Sequence, residues 1–518
     1  MTPFPSRLAP QPRQSIANPT TQPTIHPTPH TTTRAGWGLL CLAALLPLHT
    51  LAQVRPSDPP APQIAAGTTL SAAPSAERRE QDTPAVSQNA QRVYASTRDK
   101  LLQVRTVLRN TNTQASVGSG FYVSSDGLII TNFHVASQLA LEPDQYRGVG
   151  VAVDGKEMDL QLLAFDVQHD LALLRVKPAA ANALKAGDSA PVAALGFRPS
   201  EQPLGRGERI YSLGNPLDIG FAVTEGTYNG LVQRSFYPRI FFAGALNPGM
   251  SGGPALDDAG RVIGVNVAKR LDGELVSFLI PGEFAQALLL RAAKAKPITS
   301  RSHAEVTRQL LEHQARVTER FLATPFKTQV QAGYRIPVPD DALARCWGRA
   351  RDPDFKAFDI ERTNCQMDSY LFTGESTTGA IRIRSEAYNA PKFSALRFAS
   401  MYSKSMRNEV LAGRGNAKMT PSECHERYVD REGMAMRAVV CLSAHRKLVG
   451  LVDASAVVMS LNRPNQGVQG RIDVQGFSFD NALAVVAYYI NGYRSDDGAS
   501  AGQPFAPLQT VKPPGAKP

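Results

Sequence analysis

Three residues of this 518-residue chain could share one piece of chemistry: His134, Asp170 and Ser251, in that order. Ser251 lies in Asn247-Pro248-Gly249-Met250-Ser251-Gly252-Gly253-Pro254, with glycine at minus two, plus one and plus two. Such a backbone can turn sharply and leave the hydroxyl exposed. Pro248 fixes the chain just before the turn. A serine hydroxyl is too weak an acid to ionise unaided near neutrality, so it needs a base. His134 suits that role because imidazole titrates near working pH, and Asp170 would hold its tautomer and stabilise the imidazolium. Attack on a carbonyl puts negative charge on its oxygen, and the N–H groups of Gly249 and Ser251 are the natural donors to it. The chemistry would be acyl transfer through a covalent intermediate. Two rivals stand close by, His169 as base and Asp166 as carboxylate. Neighbours on a strand face opposite ways, so His169 is expected to point away from Asp170's side.

Such residues need a scaffold of strands. Val117–Val123 and Leu128–Ala136 are apolar runs around Ser125-Asp126-Gly127, which reads as a hairpin whose second strand delivers His134 at its end. His169–Val176 reads as a buried strand with Asp170 at its mouth, and Ile240–Ala245 leads into the serine turn. Many short strands at close spacing, with little helix, predict an all-β barrel or a pair of barrels over residues 91–295.

Residues 296–330 read as a helical connector. Ser302-His303-Ala304-Glu305 has the form of a capping box, and Val306, Leu310, Val317 and Phe321 fall on one helical face. Residues 331–495 mix strands (Ile381–Arg384, Ala438–Leu442, Leu448–Val452, Ala456–Leu461, Arg471–Phe479) with helices near Lys392–Ser403 and Asp480–Asn491, which predicts an α+β domain. Residues 496–518 read as a loose Gly/Pro-rich tail, and 53–90 as a disordered Pro/Ala-rich linker. Trp37–Leu48 is a short apolar run behind Arg34, and Thr50-Leu51-Ala52 resembles a cleavage site. Residues 1–52 are therefore expected to be a leader and secretory signal, removed on export. The periplasm is the expected destination, secretion the alternative. The run is shorter than the ~20 residues that span a bilayer, so membrane attachment would require an uncleaved signal.

Loss of the signal removes Cys41 and leaves Cys346, Cys365, Cys424 and Cys441. An even number in an exported chain reads as two disulfides. Three connectivities are open, of which sequential pairing closes the shortest loops. A zinc site at Cys424-His425 is the rival reading, but no Cys-x-x-Cys knuckle accompanies it. No metal or cofactor is expected. The formal net charge of +11 is spread along the chain, with no basic run interleaved with aromatics, which argues against nucleic-acid binding.

The motifs together resemble the HtrA (Deg) group of trypsin-like serine proteases. Thr131-Asn132-Phe133-His134-Val135, Asp170-Leu171-Ala172-Leu173-Leu174, Gly214-Asn215-Pro216, Thr224-Glu225-Gly226, the serine turn and Phe278-Leu279-Ile280-Pro281 carry the resemblance, over roughly Leu101 to Glu283. It implies a mainly β fold, a chymotrypsin-like double β-barrel protease domain, here followed by the helical connector and a smaller α+β disulfide-containing domain. It implies the triad His134, Asp170 and Ser251, an oxyanion hole at Gly249 and Ser251, and a substrate cleft along Ala245, Val276, Ser277, Phe278 and Leu279. Unfolded or damaged envelope proteins would be the substrates, small aliphatic side chains would be preferred on the acyl side of the cut, and a homotrimer would be the assembly. Three features depart from the family. Met250 stands where asparagine is frequent, Val276-Ser277 replaces residues usually smaller, and nothing after Leu290 resembles the carboxylate-binding loop of a PDZ domain. An alternative reading is a protease-fold binding or scaffold protein with negligible hydrolysis.

Overall fold

A computed structural model describes residues 87–178, 193–269, 275–349, 358–374, 376–409, 413–431 and 433–496. The expected leader and signal, the linker up to residue 86 and the tail beyond 496 lie outside the described residues. Helix α1 (Gln88–Thr97) starts inside the segment read as linker, with the Ser87 hydroxyl accepting the Ala90 N–H at 3.1 Å as a cap.

Six strands then close a barrel: β1 (Leu101–Leu108), β2 (Gln114–Tyr122), β3 (Leu128–Thr131), β4 (Tyr146–Ala152), β5 (Glu157–Asp166) and β6 (Leu171–Val176), in the order β1-β2-β3-β6-β5-β4. The run Leu128–Ala136 is not one strand. It stops at Thr131, and helix α2 (Phe133–Leu141) follows. Phe133, Val135, Ala136, Leu139 and Ala140 are all buried, a helical spacing that a short apolar run does not distinguish from a strand. His134 therefore sits in the first turn of a helix.

A second barrel repeats the plan with β7 (Arg209–Gly214), β8 (Ala222–Leu231), β9 (Ile240–Ala243), β10 (Pro254–Leu256), β11 (Val262–Lys269) and β12 (Ser277–Pro281), ordered β10-β11-β12-β9-β8-β7. Helix α3 (Gly282–Ala292) follows, and one apolar cluster joins it to α1 and to both barrels through Leu101, Phe121, Leu173, Tyr211 and Val265.

Helix α4 (His303–Ala323) carries the expected stripe, but its two ends serve different cores. Val306 and Leu310 pack with the first barrel, while Val317 and Phe321 enter the core of the C-terminal domain. The capping box does not form. The Ser302 side chain makes no cap, and Glu305 instead takes hydrogen bonds from Arg308 and Gln309.

Strands β13 (Lys327–Gln331) and β14 (Tyr334–Val338) pair beside the C-terminal sheet, which begins with β15 (Arg345–Arg349) and β16 (Asp359–Gln366). A two-stranded hairpin, β17 (Leu371–Phe372) and β18 (Thr377–Thr378), precedes β19 (Ile381–Asn389), and helix α5 (Ala395–Arg407) follows. Then come β20 (Glu423–Arg431), β21 (Met434–Ala444), β22 (Leu451–Ser460), β23 (Gln466–Ser478), helix α6 (Phe479–Ile490) and β24 (Arg494–Ser495), which pairs with β14. Seven strands form one antiparallel sheet, β15-β16-β19-β23-β22-β21-β20. The segments Leu448–Val452 and Ala456–Leu461, read as two strands, are one strand, β22, after a turn at 448–450. Its alternation serves both faces: Ala454, Ala456 and Val458 share a core with α4 and α6, and Val457 and Met459 share one with α5.

Cys346–Cys365 joins edge strand β15 to β16, and Cys424–Cys441 joins edge strand β20 to β21, each between directly opposed residues. Each bridge thus fastens one border of the sheet to its neighbour, where an exposed strand has a partner on one side only. The bridging also leaves Cys424 no thiolate for the zinc site considered above. Among the described residues no helix is long and apolar enough to cross a membrane.

Candidate active site

Asp170 lies in the turn before β6 in a left-handed conformation (φ 53°), which aspartate tolerates better than most residues. Its Oδ1 accepts the His134 backbone N–H at 2.8 Å and its Oδ2 meets His134 Nδ1 at 2.6 Å. One carboxylate therefore caps the first turn of α2 and orients the imidazole in it, a position the helix dipole also favours. The loop backbone reinforces the arrangement, because Asp170 O accepts from Phe133 N at 3.1 Å and Asn132 Nδ2 at 2.9 Å. Burial alone would lower the His134 pKa, but the charge and hydrogen bond of Asp170 outweigh it and raise the value above the usual 6.5.

The serine turn is held from both barrels. Ser119 of β2 donates its N–H to Ser251 O at 2.7 Å and its hydroxyl to Gly249 O at 2.7 Å, while that hydroxyl accepts from Asn215 N at 2.9 Å. Buried Asn266 donates to Leu213 O and Met250 O at 2.9 and 3.2 Å. Gly249 has φ 93°, and a Cβ there would stand 2.4 Å from Asn215 O. At Gly252 a Cβ would stand 2.3 Å from Ser119 O and 2.9 Å from Asn132 N, which brings the turn against the start of α2. The Met250 N–H closes the turn on Asn247 O at 3.0 Å, whereas the Gly249 and Ser251 N–H groups donate to nothing among the described residues. Amides left without an acceptor are the kind of donor that can hold an oxyanion. Met250 is fully buried in the second barrel with Ile210, Ile240, Phe242 and Leu279, so apolar packing anchors the turn where a polar residue is frequent in the family.

The Ser251 hydroxyl donates to Val267 O at 3.3 Å, and among the described residues it makes no hydrogen bond with His134. To serve as a nucleophile the hydroxyl must give up that carbonyl, whose hydrogen bond it would exchange for one to a base. Catalytic hydrogen bonds commonly tighten only once substrate is bound.

The rivals form a separate pair. Asp166 Oδ2 meets His169 Nδ1 at 3.0 Å and Arg291 at 3.2 Å, and the His169 ring stacks on Phe284 at 3.9 Å. His169 diverges from Asp170 because both lie in a turn, and not through the alternation of a strand. Burial would raise the Asp166 pKa, but hydrogen bonds and charge from His169, then Arg291, bring it down to about 2.

Beside His134 opens a cavity of about 270 Å³, lined by Val167, Asp170, Tyr237, Arg239, Val267 and Ile280 of the barrels and by Leu371 and Phe372 of the C-terminal hairpin, among others. None of the expected cleft residues Ala245, Val276, Ser277, Phe278 and Leu279 lines it. The alternation of β12 turns Ser277 and Leu279 inward, the first donating to Gly244 O at 2.8 Å and the second joining the barrel core. Ser119 joins the site as a support of the serine turn, with Gly118-Ser119-Gly120 its only local signal in the sequence. Tyr237 and Phe372 join it as well, and the sequence carries no local signal for either.

Residues 118–265 match the family described as trypsin-like peptidase domain. A serine protease relative, HhoB of Synechocystis sp., is 33% identical over 181 residues, covering 33% of this chain and 39% of its own. A relative from Pseudomonas fluorescens named as a periplasmic serine endoprotease, DegP-like, is 33% identical over 177 residues, 33% of each chain. A crystal structure of the serine endoprotease from Yersinia pestis is 21% identical, with a TM-score of 0.33 over 40% of this chain and 67% of that one. The chain thus spans roughly two fifths or less of the length of these two curated relatives. The barrels and the serine turn are those of a trypsin-like serine protease domain. Within that class the domain is similar to the HhoB and DegP-like proteases, and the family match ends at residue 265, before the disulfide-bearing sheet.

Proposed function

We propose that the protein is an exported serine endopeptidase that cleaves unfolded or damaged envelope polypeptides through His134, Asp170 and Ser251. Ser251 attacks the scissile carbonyl, His134 takes its proton and returns it to the leaving amine, and the Gly249 and Ser251 amides hold the oxyanion. The observation that carries this reading is the 2.6 Å His134–Asp170 contact in a cleft whose serine turn leaves two amides without partners. The periplasm follows by analogy from relatives named as periplasmic, and a homotrimer is what the HtrA resemblance of the motifs implies. Purified full chain should label at Ser251 with a fluorophosphonate and degrade unfolded casein, and Ser251→Ala should do neither. Labelling that survives Ser251→Ala would defeat the assignment.

The Ser251–Val267 hydrogen bond favours a second reading, a binding or scaffold protein whose nucleophile stays disengaged. A chain that neither labels nor cleaves, yet retains unfolded polypeptide in pull-down, would select it.

A further inference from the structure

The C-terminal domain reaches into the catalytic cleft. Phe372, at the end of β17, packs its ring at 70° to that of His134 with centroids 5.6 Å apart, and Leu371 beside it is buried in the core of the first barrel. The hairpin is fixed on its other flank as well. Phe236 N, in the loop between β8 and β9, donates to Asp368 O at 3.0 Å, and the Arg239 guanidinium lies 5.7 Å from the Tyr370 ring centroid. Behind that loop, Tyr237 is held by His313 and Arg316 of α4, at 2.8 and 2.9 Å. Both walls of the cavity beside His134 are thereby tied to the segment that follows the barrels.

We propose that Phe372 is a specificity-determining residue, the wall that limits the size of the substrate side chain held beside His134. The inference rests on the endopeptidase reading and extends it to the C-terminal domain. A cavity of about 270 Å³, faced by Val267, Ile280, Leu371 and Phe372 and also by the more polar Gln168, His169 and Arg239, has room for one substrate side chain next to the reacting centre, and the Phe372 ring bounds how far that side chain extends. An aromatic side chain would meet the Phe372 ring. Shortening residue 372 opens that wall, and widening it closes the space further. The hairpin is anchored on both flanks, so it acts as a fixed boundary of the cleft.

The test uses full-length wild type, Phe372→Ala and Phe372→Trp, each titrated by fluorophosphonate so that rates refer to active sites. Cut-site preferences are read on a peptide library, followed by kcat/KM for peptide pairs that differ in one side chain near the cut. The ratio of rates within a pair is the readout, because a general loss of activity or stability leaves it unmoved. Phe372→Ala should raise the aromatic-to-small ratio at one position flanking the cut by at least tenfold, the scale on which a pocket wall discriminates. Phe372→Trp should lower it. Identical ratios in all three proteins overturn the proposal while leaving the endopeptidase reading intact. Wild type that neither labels nor cleaves defeats both.

Discussion

The Gln309 side chain accepts the Val167 N–H at 2.7 Å and returns its own amide N–H to Phe165 O at 3.3 Å. The helix that connects two domains thereby grips the turn that carries Asp170, and Gln168 adds a bond to Gln309 O at 3.1 Å. The connector is part of the support of the turn that presents Asp170 to His134.

Gln309→Leu strips a buried backbone N–H of its acceptor, at a cost of about 1–3 kcal/mol. We expect a lower unfolding midpoint in denaturant and slower fluorophosphonate labelling of Ser251. Wild-type labelling in a destabilised variant would show that the grip does not reach Asp170.

Asp170 holds the His134 pKa above 6.5, and the base must be neutral to accept a proton. Activity should therefore rise with pH through a half-point above 6.5. Asp170→Asn should move that half-point down, since the raising charge is gone, and should cut kcat by about 10⁴-fold through the wrong tautomer. The pH profile of kcat/KM measures both.

Gly249→Ala places a methyl 2.4 Å from Asn215 O at a left-handed backbone position. The turn must shift and one oxyanion donor with it. We expect kcat to fall by about 10²–10³-fold with circular dichroism unchanged. An active variant would mean that the Gly249 amide is not a donor.

Met250→Asn introduces an amide where the side chain packs with Ile210, Ile240, Phe242 and Leu279 and should cost about 1–3 kcal/mol, whereas Met250→Leu should cost less than about 1.5 kcal/mol. Denaturant unfolding separates the two. Equal stability of the asparagine and methionine proteins would contradict the packing role.

The Asp166 pKa is down to about 2 from an ordinary 3.8, so the group stabilises the fold above the unfolded value, and that contribution is lost as pH falls through about 2. The shift corresponds to about 2 kcal/mol near neutrality. Asp166→Asn should lower stability at pH 7 and match wild type near pH 2. A constant difference across that range would sink the linkage.

Features that are local, or carried by residue type, were legible in the chain before it folded. The glycine spacing around Ser251, the order His134, Asp170, Ser251 and the short apolar runs were enough for a barrel or a pair of barrels and a set of candidate catalytic residues. The stripe of α4 and the even cysteine count were legible for the same reason, since each is a pattern within one segment. The ambiguity of Leu128–Ala136 came from a run too short for its period to decide, and Asp170, remote in sequence, supplies the acceptor for the first turn of that helix. What surrounds His134, Asp170 and Ser251 emerges from three-dimensional packing alone. That packing assigned Ser119 to the serine turn, set Met250 in a core, turned Ser277 and Leu279 inward, and brought Phe372 to His134. Those relationships join segments far apart in the chain, and no periodicity or local spacing records which distant side chain will fill the space beside a given one.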